Sequence, residues 1–256
     1  MLIDSHAHIY DEKFDAEGGA ESIVSRMDSD NLEYIVCAGC DMPTSHTCVA
    51  LADKHERVYA TVGVHPYDAD TVTKENLEVL AELAKHKKVV AIGEIGLDFH
   101  FEGADRPLQF KAMCAQYDLA RQIKLPTMYH IRDGFGEFCE FIKTRDFPEG
   151  AVLHCFSGSR ELAEQFVKKG FYVSFSGTVT YRNAVNLRRA VEAVPMERLM
   201  IETDSPYLTP SALRGQINRP ANVKYVAQKL AELKNVSVDE IERVTGENAK
   251  RIYGIK

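Results

Sequence analysis

Met1-Leu2-Ile3-Asp4-Ser5-His6-Ala7-His8 opens the chain: a short apolar run passes into one histidine, skips a residue and presents a second. On an extended strand, side chains two residues apart point to the same side. His6 and His8 are therefore expected to aim at one point from the end of a first strand. Two neutral imidazoles converging on one point are the beginning of a divalent-metal site. Alone, His-x-His is equally a pair of surface histidines near the chain's start. What closes the later strands decides between the two.

Those strands follow at regular intervals. Tyr34-Ile35-Val36-Cys37-Ala38, Val58-Tyr59-Ala60-Thr61-Val62-Gly63-Val64, Val89-Val90-Ala91-Ile92-Gly93 and Leu125-Pro126-Thr127-Met128-Tyr129 are short apolar runs of strand character. Ala151-Val152-Leu153, Phe171-Tyr172-Val173-Ser174 and Leu199-Met200-Ile201-Glu202 complete a set of eight. Helical spacing is expected over residues 19–31, 43–55, 74–86 and 107–123, after Gly134-Phe135-Gly136, and over 220–233 and 238–253. A loop is expected from Leu97 through Asp98-Phe99-His100 to Arg106. Strands alternating with helices pair in parallel, because parallel neighbours need crossover connections. At 256 residues such a sheet most economically closes as an α/β fold of the (β/α)8 TIM-barrel type, one domain over 1–256. An open doubly wound sheet is the alternative. Against it, no glycine-rich fingerprint follows the first strand.

Composition narrows the class. Apolar residues make up 45% of the chain, enough for a sizeable core. No stretch approaches the roughly 20 apolar residues of a membrane span, and the N-terminus carries no signal-peptide pattern. Six cysteines in a chain of this size read as thiols in a reducing cytosol, so a cytoplasmic protein is expected; a monomer is expected as well. Cys37-Ala38-Gly39-Cys40 has zinc-ribbon spacing without a second such pair, and reads as core and turn residues. A formal charge of -7 argues against a broad basic surface that coats duplex nucleic acid. It leaves room for a nuclease that holds a few phosphates locally, with cations offsetting the carboxylates.

The chemistry-bearing residues share one address. His6 and His8 close the first strand, Glu94 the fourth, His130 the fifth, His154 the sixth, and Asp204 follows the eighth. In a barrel those ends open onto the C-terminal face, where barrel enzymes place their chemistry. His-x-His with an aspartate makes one metal nest, and two further histidines make another. Glu94 is expected to bridge two ions roughly 3.5–4 Å apart. Mixed nitrogen and oxygen donors suit Zn²⁺, Mn²⁺ or Fe²⁺, while Mg²⁺ prefers an oxygen shell. Such ions lower the pKa of water toward neutrality and so supply a nucleophile, with Asp204 the expected general base.

Asp4-x-His6-x-His8, Gly63-Val64-His65-Pro66, Ile92-Gly93-Glu94-Ile95-Gly96-Leu97-Asp98, His130-Ile131-Arg132-Asp133, His154-Cys155-Phe156-Ser157-Gly158 and Glu202-Thr203-Asp204-Ser205-Pro206-Tyr207-Leu208 resemble the signature blocks of the TatD family of metal-dependent deoxyribonucleases. The resemblance runs on through Arg214-Gly215, Asn218 and Asn248-Ala249. It implies an amidohydrolase-type barrel and phosphodiester hydrolysis by metal-activated water. It also implies ligands at His6, His8, Glu94, His130, His154 and Asp204, the same six reached from strand ends. Two departures stand out. Phe99-His100 occupies a place where the family often has two tyrosines, and Arg219 one where it often has an acidic residue. Both fall in loops expected to touch substrate.

Other residues carry weaker signals. His65 ends the third strand at the same mouth and is expected to bind a substrate phosphate. Arg132 has two open readings, a fork onto a phosphate oxygen or an ion pair with Asp133 or another carboxylate. Cys155 follows His154 and is expected to point away from the metals into packing. Met128 and Tyr129 read as barrel filling and wall. The expected substrate is DNA, single-stranded or at strand ends, because a confined mouth admits an end more readily than the middle of a stiff duplex. The alternatives are a D-aminoacyl-tRNA deacylase or another ester or amide hydrolase on the same barrel. A non-catalytic binding protein would have lost at least one ligand position, and none is lost.

Overall fold

The computed structural model describes residues 1–256. Eight parallel strands, β1 Leu2–Ala7, β2 Leu32–Ala38, β3 Val58–Val62, β4 Val89–Asp98, β5 Thr127–Arg132, β6 Ala151–Leu153, β7 Tyr172–Phe175 and β8 Leu199–Ile201, pair in sequence order. Helices α1 Gly19–Ser25, α2 Met42–Lys54, α3 Lys74–Leu83, α4 Arg106–Ile123, α5 Phe135–Lys143, α6 Arg160–Lys168, α7 Val185–Ala193 and α8 Val223–Lys234 follow the strands in turn, and α9 Val238–Tyr253 ends the chain. This is the (β/α)8 barrel expected from the alternation. No helix is long and apolar enough to cross a membrane.

The last strand returns to the first through side chains as much as backbone. Ala7 bridges Ser205, and the Asp204 amide donates to the His6 carbonyl at 3.0 Å. Fully buried Asp4 accepts from the Thr203 amide at 2.8 Å and from the Thr203 hydroxyl at 2.5 Å. Burial pushes its carboxyl up to about 7 against those bonds. Asp4 thereby laces β1 to the loop after β8. That loop carries Asp204.

Two apolar layers form because successive strand residues face opposite ways. The larger layer lies between the strands and the surrounding helices and includes Phe14, Phe138, Phe166 and Phe171. The smaller fills the barrel with Ile3, Val36, Val90, Met128, Val152 and Met200, joined by Ala249, Ile252 and Tyr253 of α9. The Tyr34 hydroxyl donates to the Lys256 carbonyl, which fastens the tail after α9 to β2.

Several boundaries differ from expectation. The helix expected over 19–31 stops at Ser25 and gives way to turns through Asp28-Ser29-Asp30, residues that compete for backbone hydrogen bonds, ending at left-handed Asn31. The fourth strand does not finish at Glu94 but runs to Asp98, pairing Gly96 with His130 and Asp98 with Arg132. Leu97 and Asp98, expected in a loop, thus belong to the strand, and Gly96 lets it continue. That glycine sits at φ +148, where an added Cβ would fall 1.9 Å from the His130 carbonyl oxygen, so the strand continues only because the residue is glycine.

Candidate metal centre

The six residues expected as ligands converge at the open end of the barrel. His6 is fully buried, and His8, Glu94 and His154 are nearly so. His6 Nε2 lies 3.2 Å from His8 Nε2 and 3.4 Å from both Glu94 Oε1 and Asp204 Oδ1. His8 Nε2 is 3.5 Å from Glu94 Oε1 and 3.1 Å from Asp204 Oδ1. In a tetrahedral shell with ligands about 2.0–2.1 Å from the centre, donors stand about 3.3–3.4 Å apart. The first nest has that spacing, so its donors fit one divalent ion.

The second nest is built on the other carboxylate oxygen. Glu94 Oε2 is 2.9 Å from His154 Nε2 and 3.5 Å from His130 Nδ1, and those two nitrogens are 3.0 Å apart. Glu94 therefore turns Oε1 to one histidine pair and Oε2 to the other.

Three of the four rings are oriented from behind by a carbonyl or a carboxylate. His8 Nδ1 donates to the Ala38 carbonyl at 3.0 Å, which leaves Nε2 bare toward the nest. His130 Nε2 meets Asp98 Oδ2 at 3.1 Å, so Nδ1 faces Glu94. His154 Nδ1 faces buried Glu202, 3.4 Å away, and Glu202 also accepts from the Cys155 amide at 2.7 Å. Carboxylates and carbonyls behind imidazoles fix the tautomer and raise the basicity of the ligating nitrogen.

The charges bind one another. Burial pushes the Glu94 carboxyl up, and the imidazoles of His6 and His154 more than reverse it, holding it well below the carboxylate range. Asp204 goes the same way through His6 and His8. Burial lowers His154, but Glu94 and Glu202 outweigh it and raise it to about 10. His65 moves oppositely, down to about 3, through burial and the neighbouring His130. Its Nδ1 accepts from the Tyr67 amide at 3.2 Å, so at neutral pH the ring is uncharged with its proton on Nε2.

A family model described as TatD related DNase matches residues 3–254. The chain belongs to that family. It is 40% identical over 256 residues to the uncharacterized metal-dependent hydrolase YabD of Bacillus subtilis (strain 168), covering 100% of both chains. It is 32% identical over 241 residues to the 3'-5' ssDNA/RNA exonuclease TatD of Shigella flexneri serotype 5b, covering 92% of this chain and 93% of that one. A solved structure of the TatD homolog YJJV from Escherichia coli K12 superposes with a TM-score of 0.93 at 30% identity, over 100% of this chain and 98% of that one. The TatD-family chain is a metal-dependent hydrolase.

Around the TatD-family nests the structure also places residues that sequence reasoning put elsewhere or passed over. Cys37 is core as expected, its Sγ 3.3 Å from Cys48 Sγ. Cys40 is not merely a turn residue. Its thiol donates to Glu94 Oε1 at 3.2 Å, against the first nest. Cys155 does not point away into packing. Strand β6 ends at Leu153, Cys155 turns to φ 41, its Sγ lies 3.2 Å from Ser176 Oγ, and the residue lines a cavity of about 270 Å³ with His130, Arg132, His154 and Asp204. Alternation holds only while the chain stays extended. Met128 fills the barrel with its sulfur 3.1 Å from His6 Nδ1, and Tyr129 packs outside among Phe138, Phe147 and Phe171.

For Arg132 the pair with Asp133 does not form, since Asp133 takes His100 at 3.0 Å, and the guanidinium lies 5.8 Å from the Phe101 ring centre at the mouth. Arg219, by contrast, is paired with Glu17. Asp98 and Glu202 are the orienting carboxylates that strand-end reasoning missed. Both carried a legible signal, a carboxylate four residues after Glu94 and one two residues before Asp204.

Proposed function

We propose that this protein hydrolyses phosphodiester bonds at the ends of single-stranded DNA, using two divalent ions held by His6, His8, Glu94, His130, His154 and Asp204. The observation that carries the reading is Glu94, whose two oxygens address two separate nests. Ions bound there supply Lewis-acid polarisation of a phosphoryl oxygen and a lowered pKa for water. Four imidazoles among the donors suit Zn²⁺ or Mn²⁺ better than Mg²⁺.

The chain's own groups do the rest. Asp204 Oδ1 is engaged by His6 and His8, which leaves Oδ2 without a protein partner to take a proton from the attacking water. Glu94 holds the nests in register. Neutral His65, whose ring packs 4.4 Å from that of His130, donates through Nε2 to a phosphate oxygen. Arg132 offers its fork from the rim of the 270 Å³ cavity. A cavity of that size accepts a strand end and not a continuous duplex. The 3'-5' ssDNA/RNA exonuclease named among the relatives supports the same substrate class.

The test is to incubate metal-loaded protein with end-labelled single strands, duplexes and charged transfer RNA. Stepwise shortening of the single strand is the expected result. Cleavage of the aminoacyl ester alone would transfer the site to the deacylase class.

A further inference from the structure

Two loops wall one side of the mouth. The loop after β7 passes through a short 3-10 turn, Gly177–Thr180, to Tyr181, Arg182 and Asn183, and the loop after β8 reaches Ser211 and Arg214. They enclose a second cavity of about 720 Å³, lined by those five residues. Thr178 and Leu208 of the same loops line the cavity over the nests. The larger cavity is thus lined by residues a few positions further along the same two segments. Tyr181 is half-buried, and its amide donates at 3.0 Å to the carbonyl of Thr178, which lines the cavity over the nests.

The frame is built. The Ser211 amide donates to Thr180 Oγ1 at 2.8 Å, and the Ser211 hydroxyl donates to the Thr180 carbonyl at 2.9 Å. Arg188 donates to the carbonyls of Tyr181 and Arg182. Gly177 lies against the Leu208 carbonyl so closely that an added Cβ would fall 2.1 Å from it. The guanidiniums on this frame are free. No carboxylate pairs with Arg182 or Arg214, nor with Arg132 on the cavity over the nests, so three unpaired guanidiniums line the two cavities.

Two unpaired guanidiniums lining one cavity form a local anion-binding surface on an otherwise acidic chain. Planar forks match phosphate oxygens, and a phenol offers a face for a base.

We infer that the Tyr181–Arg182–Arg214 groove is the track on which a single nucleic-acid strand lies as it leaves the metal centre. Arg182 and Arg214 hold two backbone phosphates there, and Tyr181 stacks on the intervening base. The ligand class rests on the nuclease reading, while the groove can be tested without catalysis.

The measurement is the anisotropy of labelled, phosphorothioate-linked dT10 with the metal-loaded wild type, Arg182→Ala/Arg214→Ala and Arg182→Lys/Arg214→Lys. The alanine pair is expected to bind at least about tenfold more weakly. Its plot of log K against log salt should flatten by about 1.4, from about 0.7 per phosphate on single strands. The lysine pair should restore the salt slope but only part of the affinity, since it keeps the charge and loses the fork, and dT2 should not distinguish the three. Equal affinity and equal salt slope for wild type and alanine pair would overturn the track, as would a wild type that does not bind dT10. A wild type that binds dT10 through these arginines yet cleaves no phosphodiester keeps the track and removes the nuclease reading.

Discussion

Asp98 Oδ2 stands 3.1 Å from His130 Nε2, and this contact turns the opposite nitrogen of the ring to His154 Nε2, 3.0 Å away. Asp98 is itself held, by the Tyr67 hydroxyl at 2.8 Å and the His100 amide at 2.9 Å. Burial raises its carboxyl, but His130, His100 and Tyr67 prevail and keep it ionised. Asp98→Asn should lower metal affinity by about 10–100-fold while the fold persists. Calorimetric titration with Zn²⁺ or Mn²⁺ checks it, and an unchanged affinity would reduce Asp98 to a buried wall residue.

Glu94→Ala should cost turnover far more than stability. With the shared carboxylate gone, two cations would face each other unshielded, and one should be lost. Elemental analysis is expected to find at most one ion per chain, with kcat down by roughly a hundredfold or more. Normal activity with full metal content would make Glu94 structural.

Metal uptake should release protons. His6 and His154 sit above the ordinary imidazole value and His8 well above it, in each case with burial opposing and neighbouring acidic groups prevailing. A ligating imidazole must be neutral, so affinity should rise with pH from neutrality toward about 10, the value for His154. The chelated protein should trend the other way. A group raised from 6.5 to about 10 on folding stabilises fully below 6.5, and that contribution fades as pH climbs through 10. Titrations in buffers of different ionisation enthalpy count the protons, and melting of chelated protein across the same range tests the second trend.

His65→Ala should weaken phosphodiester cleavage with both ions in place. Since the ring is neutral down to about 3, its contribution should not titrate between pH 5 and 8. A His65-dependent step in the pH–rate profile within that window, or untouched DNA hydrolysis by the variant, would count against the assignment.

Asn218 is fully buried and uses both ends of its amide. Its nitrogen donates to the carbonyls of Thr203 at 2.9 Å and Tyr207 at 2.7 Å, bracketing the loop that presents Asp204. Its oxygen accepts from Asn222 Nδ2 at 2.9 Å and the Arg219 amide at 3.0 Å. Asn218→Ala strands those partners and should cost about 2–4 kcal/mol, at about 1–3 for each buried group left unpaired. Urea denaturation measures it, and a loss below about 0.5 kcal/mol would mean that water replaces the amide.

What the sequence alone determined was the order of strands and helices and the address of the six candidate ligands. Apolar periodicity is local, and a histidine or carboxylate at the end of an apolar run is visible without knowing its neighbours in space. His6 and His8 could be paired on paper because two residues apart on one strand is a fixed geometry. Where the chain leaves the strand, that rule lapses. Cys155 at φ 41 and Asp204 at φ 57 take directions that no periodicity predicts, and Cys155 came to the mouth when alternation sent it away. Only the tertiary structure decided which strand ends meet. The β4–β5 register extends the sheet to Asp98 and puts its carboxylate behind His130. The close of β8 onto β1 brings Thr203 to Asp4, and the β7 and β8 loops bring Arg182 to the same groove as Arg214. These pairings join residues far apart along the chain, and contacts of that kind are set by barrel closure and loop packing, which no short window of sequence contains.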